Sequence, residues 1–311
     1  MSSRFKFFDD GKILDTNNSS NINTENKTED HIGQAVTLEA RYRCEQMNTT
    51  KVEDNISFHC TTKKQYHLAY YGTNKARISL EQFLYKINPE VLKDAIVATE
   101  PLEYNKENVL VGLSNDNIIE RIINFKEIKD KWDSFKPELM QTSFYKELLK
   151  HDFKAAEGFM NGGDTEFGSE ANLLKTYEKA FFFHIIFNDY DPWIDRPVKQ
   201  RIKFNSQIFV NVPIELELTH GIIDENSETV EIMTVGKLVK EELNNTVLKE
   251  QYDKFYKPMI EYDFTEYNYE YIVRRVIDKK TTLILSAKAN LKEEVKYNYQ
   301  FITQFDLKKI D

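Results

Sequence analysis

Along residues 295–307 apolar side chains recur at almost every second position: Val295, Tyr297, Tyr299, Phe301, Phe305 and Leu307. Lys296, Asn298, Gln300, Gln304 and Asp306 fill most of the gaps. A period of two sends one set to one face of a sheet and the other set to the opposite face. The run predicts a long antiparallel strand, half buried, whose polar face is wet or lines a groove. Val36 to Cys44 alternates in the same way, with Glu39, Arg41 and Arg43 on the polar face. Ile56, Phe58 and Cys60 continue the style, and Tyr66 to Tyr71 predicts a third strand. Arg4 to Leu14 reads as a strand with a turn at Asp9-Asp10-Gly11, and the polar stretch that follows as a mobile loop over 15–32.

Helical signals come next. Ser79 is placed to cap a helix over Leu80 to Ile87 that stops before Pro89, with a second piece over Pro89 to Ala95. Val109 to Leu113 and Ile118 to Ile123 read as short strands. Lys126 to Phe135, Phe144 to Met160 and Glu170 to Phe187 carry apolar residues at helical spacing, with a break at Asn161-Gly162-Gly163-Asp164-Thr165. The last two predict a helical hairpin. After Pro197 the period returns to two: Ile202, Phe204, Ile208, Val210 and Val212 line one face, and Ile214, Leu216 and Leu218 the next strand. Val230 to Val235 is a strand, Val239 to Phe255 a helix, and Tyr267 to Ile277, Thr282 to Leu291 and Lys296 to Leu307 a closing meander. Strands cluster instead of alternating with helices. The expected class is α+β, with antiparallel sheets flanking a central helical hairpin and a C-terminal β-meander. Residues 1–115 and 116–311 form either two regions or one domain.

Composition narrows the partners. Hydrophobic residues are 41% and charged residues 30% of 311, enough apolar content for a sizeable core. The net charge is −9. Nucleic-acid binding wants a basic stripe, and Lys199–Arg201–Lys203 and Arg274–Arg275 are flanked by acids, so no nucleic-acid partner is expected. The N-terminus carries no apolar core for a signal peptide, and the apolar run Ala180 to Phe187 is too short to span a bilayer. These features predict a cytoplasmic protein without membrane insertion.

Several residue groups carry side chains that can do chemistry. Gly158, Gly162, Gly163 and Gly168 follow no strand and precede no Lys-Ser/Thr, so they form neither a phosphate loop nor a dinucleotide fingerprint. Cys44, His59, Cys60 and His67 match no zinc spacing, and two buried thiols on neighbouring strands are expected. Asp189 and Asp191 with Tyr190 flank Trp193, an aromatic that can anchor a protein partner. His184, inside an aromatic run, reads as a hydrogen-bonded core residue. Glu215 and Glu217 share a strand face, as do Arg201 and Lys203 on the strand before.

Interleaved acids and bases of that kind resemble the interior of triphosphate tunnel enzymes, although that family's Glu-x-Glu-x-Lys is here Glu39-Ala40-Arg41-Tyr42-Arg43. The resemblance implies a metal-dependent phosphohydrolase holding metal and phosphate on Glu215, Glu217, Arg201 and Lys203. A third possibility is a small-ligand cup lined by Tyr269, Tyr297 or Phe301. The stretches Phe5-Lys6-Phe7-Phe8-Asp9-Asp10-Gly11-Lys12-Ile13-Leu14 and Ile123-Asn124-Phe125-Lys126-Glu127-Ile128-Lys129-Asp130-Lys131-Trp132, with the Tyr/Phe-rich final strands, resemble uncharacterised bacteroidete proteins. Some of those are encoded near contractile secretion systems or polymorphic toxins. That resemblance implies an accessory or interaction protein with no known reaction. The leading expectation is a non-catalytic protein-binding protein, an adaptor, immunity-type protein or assembly component, with no cofactor.

Overall fold

The computed structural model describes residues 35–72, 74–187 and 198–311. The expected strand at Arg4 to Leu14 and the loop over 15–32 lie outside the described residues. The strands are β1 (Leu38–Val52), β2 (Asn55–Tyr71), β3 (Lys75–Asn88), β4 (Val109–Leu113), β5 (Ile119–Ile122), β6 (Val198–Asn205), β7 (Pro213–Glu225), β8 (Thr229–Leu238), β9 (Tyr267–Asp278), β10 (Ile284–Val295) and β11 (Tyr299–Lys309). The helices are α1 (Lys93–Lys106), α2 (Phe125–Gln141), α3 (Ser143–His151), α4 (Phe153–Glu166), α5 (Glu170–Lys179), α6 (Phe181–Ile186), α7 (Asn245–Phe255) and α8 (Lys257–Ile260).

One antiparallel sheet takes in every strand among the described residues, in the order β5-β4-β3-β2-β1-β11-β10-β9-β8-β7-β6. It is two meanders joined at a seam, where β1 pairs with β11 from Tyr42↔Lys309 to Val52↔Tyr299. The expectation of separate sheets flanking a hairpin gives way to this single sheet. Its pleat sorts the side chains as alternation requires. Tyr42, Tyr66, Leu68, Val273, Phe305 and Leu307 point to one face and are buried. Arg43, Glu45, Lys63, Lys288, Asp306 and Lys308 point to the other and are exposed. The apolar face is covered by helices: the Phe182 ring stacks on Tyr66 at 3.9 Å, and Phe181 stacks on Phe305 at 5.5 Å. Near the far end, Tyr256 packs on Tyr299 at 4.5 Å. Fully burying an aromatic or large aliphatic side chain contributes roughly 1.5–3 kcal/mol, so this face supplies most of the stabilisation.

Several elements differ from the sequence-based expectation for identifiable reasons. Residues 80–87 are strand β3, not a helix capped by Ser79. A register shift opposite Gln65/Tyr66 inserts an extra residue, so the buried set runs Ile78, Leu80, Phe83, Tyr85, Ile87. That one three-residue step imitates helical spacing. The two expected strands around Lys63-Lys64 are one strand, β2, in which Lys64 points into the core. Phe144 to Met160 breaks into α3 and α4 at Asp152, whose side chain accepts from Ala155 N at 2.9 Å. Glu170 to Phe187 breaks likewise at Ala180, between α5 and α6. Residues 240–242 form a 3₁₀ turn, so α7 begins only at Asn245. Tyr297 belongs to the β10–β11 turn, at φ 69°, and is 75% exposed.

The glycine-containing stretch expected to break a helix lies inside α4. Gly163 sits under the Trp132 indole, which is buried, stacked on Phe167 and held by its Nε1–H donating to Asp164 Oδ1 at 3.1 Å. A methyl group at 163 would enter the ring. The helix tolerates glycine's propensity cost because the indole needs the space. Gly163→Ala is expected to destabilise by about 1–3 kcal/mol in urea melts despite alanine's better helix propensity. A variant as stable as the parent would show that the indole moves aside freely.

Candidate interaction surface

On the polar face, β3, β2, β1, β11 and β10 form an open groove of about 980 Å³ centred on the seam. The strand registers place its side chains in rows. Gln82, Gln65, Arg43, Lys308 and Ser286 make one row; Leu84, Lys63, Glu45, Asp306 and Lys288 make the next. Arg43 therefore faces Lys308, and Glu45 faces Asp306, across the β1–β11 seam. Like charges directly opposite each other in an antiparallel pair destabilise it, so both pairs call for outside compensation.

The acids have it. Lys63 Nζ lies 2.9 Å from Glu45, and Lys288 Nζ lies 3.3 Å from Asp306. Asp311 pairs with Arg41 at 3.4 Å. Arg41 also binds Glu81 at 2.9 Å, and Gln65 donates to Glu81 at 2.8 Å. Partial burial raises the Glu81 carboxyl, but the hydrogen bonds from Gln65 and Arg41 and the Arg41 charge outweigh it and hold the group below the usual carboxylate range. The cations are less complete. Arg43 donates Nε–H to the neutral Gln65 at 2.9 Å. Arg43, Lys308 and Lys309 form no ion pair among the described residues.

The residues singled out from sequence fall elsewhere. Tyr190, Asp189, Asp191 and Trp193 lie outside the described residues. Glu215, Glu217, Arg201 and Lys203 sit on the polar face of β6 and β7, at the sheet's edge, and bond to one another and to Lys199. Arg201 is 3.2 Å and Lys203 3.5 Å from Glu215, and Lys199 is 2.9 Å from Glu217. The Lys199 hydrogen bond lowers the Glu217 carboxyl below its ordinary range. Among the described residues β5 and β6 are the two ends of an open sheet, so these side chains do not converge inside a closed barrel. No group of three or more His, Cys, Asp or Glu among the described residues is placed to hold a metal ion. Tyr269 and Phe301 are buried in the core while Tyr297 is exposed in its turn, so the three do not line a common cup. Cys44 and Cys60 are buried cysteines on adjacent strands. His184 Nε2 is 2.8 Å from Tyr271 Oη.

Two buried polar clusters stand behind the apolar face. Lys64 reaches Glu103 at 3.0 Å and Glu107 at 2.8 Å on and beside α1, and Tyr66 donates its hydroxyl to Glu107. Glu293 on β10 is fully buried and accepts from Ser206, from Gln207 N at 2.6 Å and from Tyr267 at 2.8 Å. Burial raises its carboxyl above the usual range, although these donors pull the other way. Both clusters tie a helix or loop to the sheet. Sequence reasoning missed both, and it missed the groove. The one sequence signal for the groove was charge concentrated on the polar faces of residues 41–45 and 306–308.

No protein-family model and no curated protein matches the chain. Lipovitellin, in a structure concerned with lipid–protein interactions, aligns over 88% of this chain and 25% of its own, at 9% identity and a TM-score of 0.43. The chain thus spans about a quarter of that protein, and a likeness of this degree carries no argument. No helix among the described residues is long and apolar enough to cross a membrane.

Proposed function

We propose that this chain is a non-catalytic protein-binding protein that seats a polypeptide partner in the groove over the β1–β11 seam. The observation that carries the reading is the groove itself. It is concave, about 980 Å³, lined by charged and polar side chains, and built on a sheet whose other face is anchored by the whole helical layer. A rigid sheet presents its rows in fixed register, which lowers the ordering cost of binding. The openness of the groove suits a segment of protein better than a small molecule, which needs an enclosed pocket. Adaptor, immunity-type protein and assembly component are the roles we put forward, consistent with the resemblance to proteins encoded near secretion and toxin loci.

The test is affinity capture from native lysate with the parent chain, with Arg43→Glu/Lys308→Glu, and with Lys199→Glu as a control on the distant edge. The expected result is a stoichiometric protein captured by the parent and the control and lost from the groove variant. A partner retained by the groove variant would overturn the reading. A hydrolytic activity removed by Glu215→Gln would replace it with the phosphohydrolase.

A further inference from the structure

We infer that the segment seated in the groove is acidic: an extended polypeptide whose carboxylates dock on Arg43 and Lys308. This rests on the groove being the interface and adds the chemistry of its occupant. Internal pairing accounts for the groove's acids: Glu45 by Lys63, Asp306 by Lys288 and Asp311 by Arg41. The cations left over are Arg43 and Lys308, which face each other across the seam with no carboxylate on either among the described residues. Like charges held about 5 Å apart repel each other, and a carboxylate between them removes the repulsion. Arg43 offers a planar fork for both oxygens, and Lys308 a point charge beside it.

The neighbouring row decides what kind of anion fits. Glu45 and Asp306 lie two residues further along the same strands, about 7 Å away. A uniform polyanion, such as nucleic acid, polyphosphate or an anionic membrane, also sets negative charge over that row, where Lys63 and Lys288 are already taken up by Glu45 and Asp306 and no cation is left to receive it. The chain's net charge of −9 opposes it further. A polypeptide can place its acids over Arg43 and Lys308 and neutral or basic side chains over Glu45 and Asp306. The local pattern therefore favours a peptide with spaced acids over a polyphosphate backbone, and the whole-chain field opposes the denser anion more strongly.

The experiment is fluorescence anisotropy with short labelled peptides: alternating Glu-Thr, alternating Glu-Thr-Lys-Thr, alternating Lys-Thr, and an oligothymidylate of similar length. The parent chain is expected to bind both Glu-containing peptides, more weakly as salt rises, and to bind Lys-Thr and oligothymidylate at least about tenfold more weakly. Arg43→Glu/Lys308→Glu is expected to lose the Glu-Thr peptide by a similar factor and to gain affinity for Lys-Thr. Both positions are exposed, so unchanged circular dichroism would separate lost binding from lost folding. The inference falls if the parent ignores Glu-Thr, if the double variant binds it equally, or if oligothymidylate binds as well. A natural partner lost from the double variant while Glu-Thr fails to bind would leave the groove as the interface and end only the acidic assignment.

Discussion

Replacing Lys64 by Met is expected to cost about 3–5 kcal/mol, read as a shift of the urea midpoint at neutral pH. Lys64 is on the apolar face of β2 and is 6% exposed, with its ammonium over the Phe83 ring at 5.2 Å. Its side chain joins the sheet to Glu103 and Glu107, themselves 6% and 2% exposed. Lys106 covers part of the charge of Glu103 at 2.5 Å, but the ion pair to Glu107 comes from Lys64. Removing the lysine takes away the Glu107 ion pair and leaves that buried carboxylate with the Tyr66 hydroxyl as its hydrogen-bond donor. Deleting one partner of a buried pair is far more damaging than replacing both, because the surviving charge keeps its desolvation penalty and loses its compensation. The double variant Lys64→Met/Glu107→Gln tests that cause. Its amide oxygen still accepts from Tyr66, so most of the stability is expected to return. A double variant as unstable as the single would show that the penalty does not come from an uncompensated Glu107 carboxylate.

Lys64 also shows why the sheet was only partly legible from sequence. Alternation identified β1, β7, β8 and the closing meander because each needs only its own residues to be read. Residues 61–65 fall outside both expected strands, and the groups that neutralise the buried Lys64 stand roughly 40 positions away, on and beside α1. The bulge in β3 disguised a strand as a helix by lengthening one step. Gly163 looked like a helix breaker because nothing local reveals the Trp132 ring above it. The groove suffers most from this. Arg43 and Glu45 were visible on one strand face and Asp306 on another, but the site exists only where β1 meets β11, and no local pattern predicts that seam. Polar faces of strands read alike whether they are solvated or assembled into a surface, so the sequence pointed instead to Glu215, Glu217, Arg201 and Lys203, whose charges answer one another.

Acidification from about pH 7 to about pH 4 is expected to destabilise the protein, with His184 contributing roughly 2–3 kcal/mol. The His184 ring is partly buried between Tyr271 and Phe204. Burial, and then the positive charges of Arg275 and His220, push its pKa from 6.5 down to about 3. The folded state therefore holds a neutral imidazole, with Nε2 hydrogen-bonded to the Tyr271 hydroxyl, 2.8 Å away. Below pH 6.5 the unfolded chain takes up a proton at this position that the folded chain refuses, so stability falls with pH until about 3. Glu293 works in the opposite direction. Its raised folded pKa makes a contribution that is full below the ordinary carboxylate range and is lost as pH rises through the folded value. The two slopes oppose each other, and single variants separate them. His184→Gln keeps a hydrogen-bonding group for Tyr271 and removes the titration, so its stability is expected to fall less on acidification. Glu293→Gln removes the opposing term, so its stability is expected to fall more steeply than the parent's. Urea midpoints for the parent and both variants at the two pH values decide the matter. A His184→Gln slope equal to the parent's would mean that the imidazole is charged or solvated in the fold, and that acid sensitivity arises from other groups.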